Sequence, residues 1–310
     1  MDFGKVPYQW QLDKISFDLP QEDERSSNLL LESRKKVALH SNPKVYIGCP
    51  IWGKKEWVGT VYPPKTSQRD FLKYYSQQLN TIELNTTFYR IPDVVTVERW
   101  RDLVPSGFKF SPKIFQEISQ FEILPNIPNL VHRFCNSVLH FDDHLGVSFL
   151  QLPPSFSPQK ILILKRFFRL LPQGFQLAVE FRHPDWFHTG RLIDPAFELL
   201  AENGISTVIT DVAGRRDVLH QSLTTRVAMI RFVGNALHPT DHQRIQTWID
   251  RLGSWFAKGV EQVYFFVHEP EEVGTLELVD SLVDQLNKKF GLGLKSWDPS
   301  LAHPQVSFFC

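Results

Sequence analysis

The chain has 310 residues, with 34 Lys plus Arg against 34 Asp plus Glu, and 42% of it is hydrophobic. That composition supports a packed core and excludes wholesale disorder. The even charge balance supplies no global basic field, which argues against a dedicated binder of duplex nucleic acid. Three cysteines, Cys49, Cys135 and Cys310, are too few and too far apart for a disulfide framework or a zinc ribbon. No signal-type leader and no apolar run long enough to span a bilayer is visible, so a soluble, cytoplasmic protein without membrane association is expected.

Residues 1–43 read as an extension. QEDERSSN is polar and loop-like, and LLLESRKKVALHSNP fits a short helix stopped before Pro43. From Lys44 a strand–helix rhythm sets in. The strand candidates are KVYIGC (44–49), TIELN (81–85), FKFSPK (108–113), GVSFLQL (146–152), QLAVEFR (176–182), STVITD (206–211), VAMIRFV (227–233) and QVYFFVH (262–268). Helical runs are expected at 69–79, 94–104, 130–141, 157–171, 195–203, 242–259 and 271–290, with a weaker one at 213–223. Such alternation implies a parallel sheet covered by helices. Eight units between residues 44 and 290 match the count and length of a closed (β/α)8 TIM barrel. An open doubly wound sheet is the competitor, but CPIWG (49–53) after the first strand is not the Gly-rich phosphate loop it favours. The expected division is an extension at 1–43, a barrel domain at 44–293 and a tail at 294–310.

Side chains alternate along a strand, and in a barrel the inward residues at the carboxyl ends line the mouth. Counting alternate positions places Ile47 and Cys49 inward on the first strand. The same count gives Glu83 with Asn85, Lys113, Gln151, Glu180 with Arg182, Asp211, Arg231 and His268 on the other seven. Three carboxylates and three fixed cations at strand ends form either a self-neutralising network or a functional site, and such clusters in a barrel mouth favour function. Glu83, Glu180, Lys113 and Asp211 are the candidate catalytic residues. Glu83 or Glu180 would be the base, and Lys113, Arg182 and Arg231 would hold an anion. Cys49 reads as a small buried hydrophobe rather than a nucleophile.

The segments IGCPIWGKKEWVGTVYPP (47–64), IELNTTFYRIP (82–92), FKFSPK (108–113), LGVSFLQLPPSF (145–156) and AVEFRHPDWF (178–187), followed by the Asp211 strand, resemble the YecE-like family. This family is also called domain of unknown function 72. The resemblance implies a TIM-barrel fold and adds Trp52, Asn85, Thr87, Tyr89, Arg90, Gln151, Arg182 and His183 to the pocket candidates, beside Arg231 and His268. It implies no particular reaction. Where many members read YVRLHG and YFNN, this chain has AMIRFVGN (228–235) and YFFVHEP (264–270). His268 thus stands at an amide-type position.

The function expected is acid–base chemistry on a small anionic or phosphorylated substrate, without a cofactor. The alternatives are a divalent-metal-dependent hydrolase or isomerase using Glu83, Glu180, Asp211 and His268, and a non-catalytic binder of an anionic ligand or a single-stranded nucleic-acid end through Trp52 and Tyr89. A retaining glycosidase ranks behind these.

Overall fold

A computed structural model of the chain describes residues 4–36, 42–119, 127–270 and 274–298. All eight expected strands form: β1 Lys44–Gly48, β2 Thr81–Leu84, β3 Lys109–Pro112, β4 Ser148–Gln151, β5 Leu177–Glu180, β6 Ser206–Asp211, β7 Val227–Val233 and β8 Gln262–His268. Every ladder between them is parallel. A separate antiparallel ribbon, Phe187–His188 with Arg191–Leu192, completes the strands among the described residues. The protein is a mixed α/β fold with a mostly parallel central sheet.

The expected closed barrel is not what the ladders give. Six strands form one sheet in the order β1-β8-β7-β6-β5-β4, and β2 and β3 form another. At the β3–β4 junction only isolated bridges form, Phe110 with Leu145 and Lys113 with Phe149. At the β1–β2 junction one backbone bond forms, Glu83 N–H to Cys49 O at 3.2 Å. Side chains satisfy the rest of that seam. The Asn80 amide accepts from Ile47 N at 2.7 Å and donates to Val45 O at 2.9 Å. The Tyr75 hydroxyl accepts from Cys49 N at 3.0 Å and donates to Thr81 O at 2.8 Å. Buried backbone groups need partners, so two side chains serve where the strands do not pair. Gly48 permits the close approach, because a Cβ there would stand 2.2 Å from Thr81 O.

Helices follow the strands at Phe71–Gln78, Val94–Asp102, Ile127–Leu139, Ile161–Phe168, Asp194–Glu202, Pro239–Lys258 and Thr275–Phe290. They match the seven stronger expectations with shifted ends; the part of the last one at 271–273 lies outside the described residues. The weaker helix at 213–223 does not form; only a single 3-10 turn, Arg216–Val218, is present there. Residues 219–224 are instead a buried link without regular secondary structure.

The helical position opposite that link is taken by the N-terminal helix Glu24–Lys36. Asp23 precedes it, accepts from Arg25 N at 3.1 Å, and is bonded by the Ser222 hydroxyl at 2.6 Å. The Ser26 hydroxyl accepts from Leu223 N at 2.7 Å. Arg25 stacks on Phe197 of one neighbouring helix, and Glu22 bonds Lys258 of the other. The helix begins earlier than the sequence suggested, and its expected continuation over 37–41 lies outside the described residues, as do residues 299–310 of the expected tail.

The apolar residues divide into two sets. A large one lies between sheet and helices. A smaller one is formed by Tyr46, Val147, Phe149, Ala178, Val208, Met229, Tyr264 and Phe266, all on the concave side of the strands. This second set fixes which residues point inward. It confirms the alternation expected for β4, β5, β7 and β8 and reverses it for β1 and β6. Tyr46, not Ile47 or Cys49, faces in on β1. Val208 faces in on β6, so Asp211 faces out. No helix among the described residues is long and apolar enough to cross a membrane.

Candidate functional site

Above the inner apolar layer, at the carboxyl ends of the strands, the ionisable residues converge. Parallel register sets them level: Thr210 pairs with Arg231, Arg231 with Phe266, and Gln151 with Glu180. Arg231 is fully buried and is the hub. Its Nε and Nη2 donate to the two oxygens of Glu83, each at 2.8 Å, and its Nη1 donates to Glu180 Oε2 at 2.8 Å. Such forked, charge-assisted bonds are the strong class.

The chain of contacts runs on in both directions. Glu83 also accepts from Asn85 Nδ2 at 2.8 Å and lies 2.9 Å from His268 Nε2. Glu180 accepts from Arg182 Nε at 2.8 Å and from the Thr210 hydroxyl at 3.0 Å. Gln151 Oε1 then accepts from two cations at once, Arg182 Nη2 at 2.7 Å and Lys113 Nζ at 2.9 Å. Lys113 Nζ lies 4.1 Å from the centre of the Phe88 ring, and the Arg231 guanidinium lies 5.4 Å from that of Phe149. Seven strands or their ends thus supply one connected cluster.

Its protonation states follow from burial and neighbours. Burial alone would raise both carboxylates. The Arg231 charge and the hydrogen bonds from Arg231 and His268 nevertheless hold Glu83 well below the usual range, and Arg182, Arg231 and Lys113 hold Glu180 at about 2. Burial works against the Arg231 cation, but the two carboxylates more than offset it. Burial lowers His268 despite Glu83, so the imidazole is neutral at pH 7 and its Nε2–H donates to Glu83. Lys113 is the cation pushed hardest the other way: burial, then the Arg231 charge, bring it down to about 8.

The remaining candidates lie elsewhere. Asp211 is buried behind the sheet, where Trp248 Nε1 donates to it at 2.7 Å and Arg244 and Arg216 pair with it. It locks β6 to the helix Pro239–Lys258 and does not reach the cluster. Thr87 is buried, its hydroxyl 2.8 Å from Leu84 O and 2.7 Å from Lys113 O, where it pins β2 to β3. The ring of Trp52 packs edge-on against Trp100 at 5.6 Å. Tyr89 is 70% exposed and meets Phe88 edge-on, and Arg90 is exposed beside it. The His183 side chain accepts from Asp185 N and caps the turn Pro184–Trp186. Cys49 is buried, bonded to Tyr75, and its thiol is pushed up by burial to about 11.

Two contributors, Thr210 and Phe88, and one buried carboxyl beside the cluster's strand ends, Glu269, escaped the sequence reading. Thr210 was hidden by the reversed alternation of β6. Phe88 follows the end of β2 in a one-turn helix, Thr86–Tyr89, that no alternation rule covers. Glu269 sits just beyond His268, accepts from Ala236 N at 2.8 Å, and is raised by burial and by Asp241 to about 7.

The metal alternative loses its ligand set in this geometry. Arg231 stands between Glu83 and Glu180, Asp211 faces away, and no three His, Cys, Asp or Glu converge among the described residues. The members of the cluster bond one another directly. A cleft of about 540 Å³ lies at the opposite ends of the strands, lined by Lys44, Tyr46, Lys109 and Tyr264 among others. Its ionisable groups, Lys44, Lys109, Asp142 and Asp143, are not the buried, mutually bonded set found at the other end, so the candidate site is placed at the cluster.

Comparison with known proteins gives the same picture of the fold. The family described as "Protein of unknown function DUF72" matches residues 46–301. The Escherichia coli (strain K12) UPF0759 protein YecE is 30% identical over 262 residues, covering 79% of this chain and 93% of that protein. Bacillus subtilis (strain 168) UPF0759 protein YunF is 27% identical over 151 residues, 46% of this chain and 52% of that one. Among solved structures, a DUF72 family protein from Enterococcus faecalis V583 superposes with a TM-score of 0.65 at 18% identity, covering 82% of this chain and all of that one. A second, from Thermotoga maritima MSB8, gives 0.58 at 22% identity, covering 80% and 99%. With the family's motifs running through β1 to β6 and the matching fold, the chain belongs to the DUF72 family.

Proposed function

We propose that the chain is an enzyme built on a (β/α)8-type cylinder, and that the cluster at its carboxyl mouth takes a small anionic substrate for acid–base chemistry. In this reading residues 44–293 are the barrel unit, 1–43 an extension whose helix Glu24–Lys36 lies in the outer layer, and 294–310 a tail. The reading rests on one observation: among the described residues the cluster holds three cations, Arg231, Arg182 and Lys113, against two carboxylates, Glu83 and Glu180, with His268 neutral. A buried positive surplus is costly unless neutralised. A bound phosphate or carboxylate neutralises it.

The same geometry divides the roles. Glu83 and Glu180 accept bonds on both oxygens and are held ionised, so they are poor proton acceptors near pH 7 and serve to position Arg231 and Arg182. Lys113, close to pH 7 in its titration and bonded to a neutral amide, is the group that carries a proton. The direct bonding among the members of the cluster favours a substrate of few atoms. Capture of a single-stranded nucleic-acid end fits less well, because Trp52 is engaged with Trp100 while Tyr89 lies exposed on the rim.

The test is calorimetric titration with phosphate, sulfate and small carboxylates, on the wild type and on Lys113→Met. Binding at one site per chain, weakened at least tenfold by the substitution, is expected. Equal binding by both proteins, or none by either, refutes the reading.

A further inference from the structure

Lysines that meet no carboxylate inside a protein are uncommon, because an ammonium taken out of water needs compensation. Among the described residues no carboxylate bonds Lys113, although Glu83 and Glu180 act on it from a distance. Lys113 is 8% exposed, its Nζ donates to Gln151 Oε1, and the same oxygen already receives Arg182 Nη2. Two cations therefore share one neutral acceptor. The other face of the ammonium rests on the Phe88 ring, an apolar surface with only a weak hold on charge. Its backbone is fixed by the bridge to Phe149 and by the Thr87 hydroxyl. A rigidly mounted amine, desolvated and flanked by cations, is the setting in which lysine becomes a nucleophile toward carbonyl groups.

We propose that Lys113 forms an imine with a small carbonyl substrate that carries a carboxylate, of the 2-oxo acid or aldehydo acid class. This deepens the anion-site reading and rests on it. The positive surplus of the cluster takes the carboxylate and so sets the adjacent carbonyl carbon against Nζ. The free amine attacks that carbon and its C–N bond forms as the carbonyl π pair moves to oxygen. One nitrogen proton passes to that oxygen. The second nitrogen proton follows as the C–O bond breaks, and water leaves. The product is a Lys113–carbon double bond, with no oxidant or reductant consumed. The imine, once protonated, withdraws electrons from the neighbouring carbon and eases bond cleavage or proton loss there.

The midpoint near 8 sets the expected selectivity. At pH 7 about a tenth of Lys113 is free amine, against roughly three in ten thousand for an ordinary lysine. Allowing for the lower nucleophilicity of the less basic amine, selectivity should be about 15–30-fold.

The full chain is incubated with glyoxylate and sodium cyanoborohydride, which reduces an imine to a stable secondary amine, and the labelled lysines are located by peptide mass spectrometry. The expected result is carboxymethylation at Lys113 tens of times faster than at any other lysine. Its rate should rise with pH to a midpoint near 8, and phosphate should slow it. Lys113→Arg keeps the charge and must lose the selective label. Propionaldehyde, which has no carboxylate, should label Lys113 with less preference. Labelling spread evenly over the lysines, or sparing Lys113, overturns the proposal. The phosphate arm separates the two readings. Phosphate that stabilises the protein while Lys113 stays unlabelled sinks the imine and keeps the anion site. Selective labelling that phosphate neither slows nor accompanies with stabilisation keeps the imine's nucleophile and sinks the anion site.

Discussion

Replacing Arg231 by methionine removes the hub of the cluster while keeping an unbranched side chain in its place. Three charge-assisted bonds vanish, two to Glu83 and one to Glu180, all at 2.8 Å. Both carboxylates are essentially without solvent access, so neither can exchange the lost bonds for water. Removing one partner of a buried ion pair costs about 3–5 kcal/mol. Two orphaned carboxylates place Arg231→Met near the upper end, about 5 kcal/mol, softened by the bonds that Asn85, His268, Arg182 and Thr210 retain. With an m-value of about 3 kcal/mol/M, the urea midpoint at pH 7 moves down by roughly 1.5 M. The pH dependence carries a second check. In the wild type the depressed carboxylates contribute stability that is present above pH 4.5 and lost as the pH falls towards about 2. In the variant the same carboxylates protonate more readily, which relieves their burial. The gap between the two proteins should therefore narrow below about pH 5. A loss under about 1 kcal/mol, or a gap that widens on acidification, would falsify the account of the cluster as a charge-paired hub.

Lys113→Met should stabilise the protein at pH 7 by about 1 kcal/mol, since it removes a cation that burial disfavours. The wild type should also regain stability relative to the variant between pH 8 and 10.5 in thermal melts, because there the unfolded wild-type chain binds the extra proton; a variant that melts lower at pH 7 contradicts this. Gly48→Ala forces a Cβ to within 2.2 Å of Thr81 O and should cost more than about 3 kcal/mol in urea unfolding, by prising β1 from β2; a near-neutral result means that the seam is not as tight as described. Asp23→Ala removes a helix cap and the buried bonds to Ser222 and Arg25, and should cost about 3 kcal/mol. Limited proteolysis should then cut the N-terminal segment first, and unchanged protease resistance would count against its role.

The places where sequence reasoning succeeded and failed have physical causes. Alternation works where a strand end carries one charged residue with apolar neighbours on the other face, as in AVEF around Glu180 and MIRF around Arg231. It misled in STVITD, where both faces are buried and Asp211 has its partners behind the sheet. Nothing in six letters shows whether a carboxylate will meet Arg231 inside or Arg244 outside. On β1 the same ambiguity arises because Cys49 and Tyr46 are both acceptable core residues. The absent helix at 213–223 fails for a related reason. Its backbone and hydroxyls are claimed by distant groups: Gln221 N by Gly190 O, Leu223 N by Ser26, and the Thr224 hydroxyl by Ile205 O. Local pattern cannot register partners so far along the chain. The unclosed sheet has the same origin, since the Asn80 and Tyr75 side chains that bridge β1 and β2 look from sequence like ordinary loop and helix residues.

The helix Glu24–Lys36 is synthesised long before the segments that hold it. Its anchors Ser222 and Lys258 follow Asp23 and Glu22 by 199 and 236 positions. At about 5–20 residues per second, the ribosome leaves the buried face around Leu30 waiting for roughly 10 to 50 seconds. During that interval the segment is open to any apolar surface nearby. A fusion partner or surface tether attached ahead of it would tax the maturation of the whole protein far more than one attached to an ordinary flexible leader.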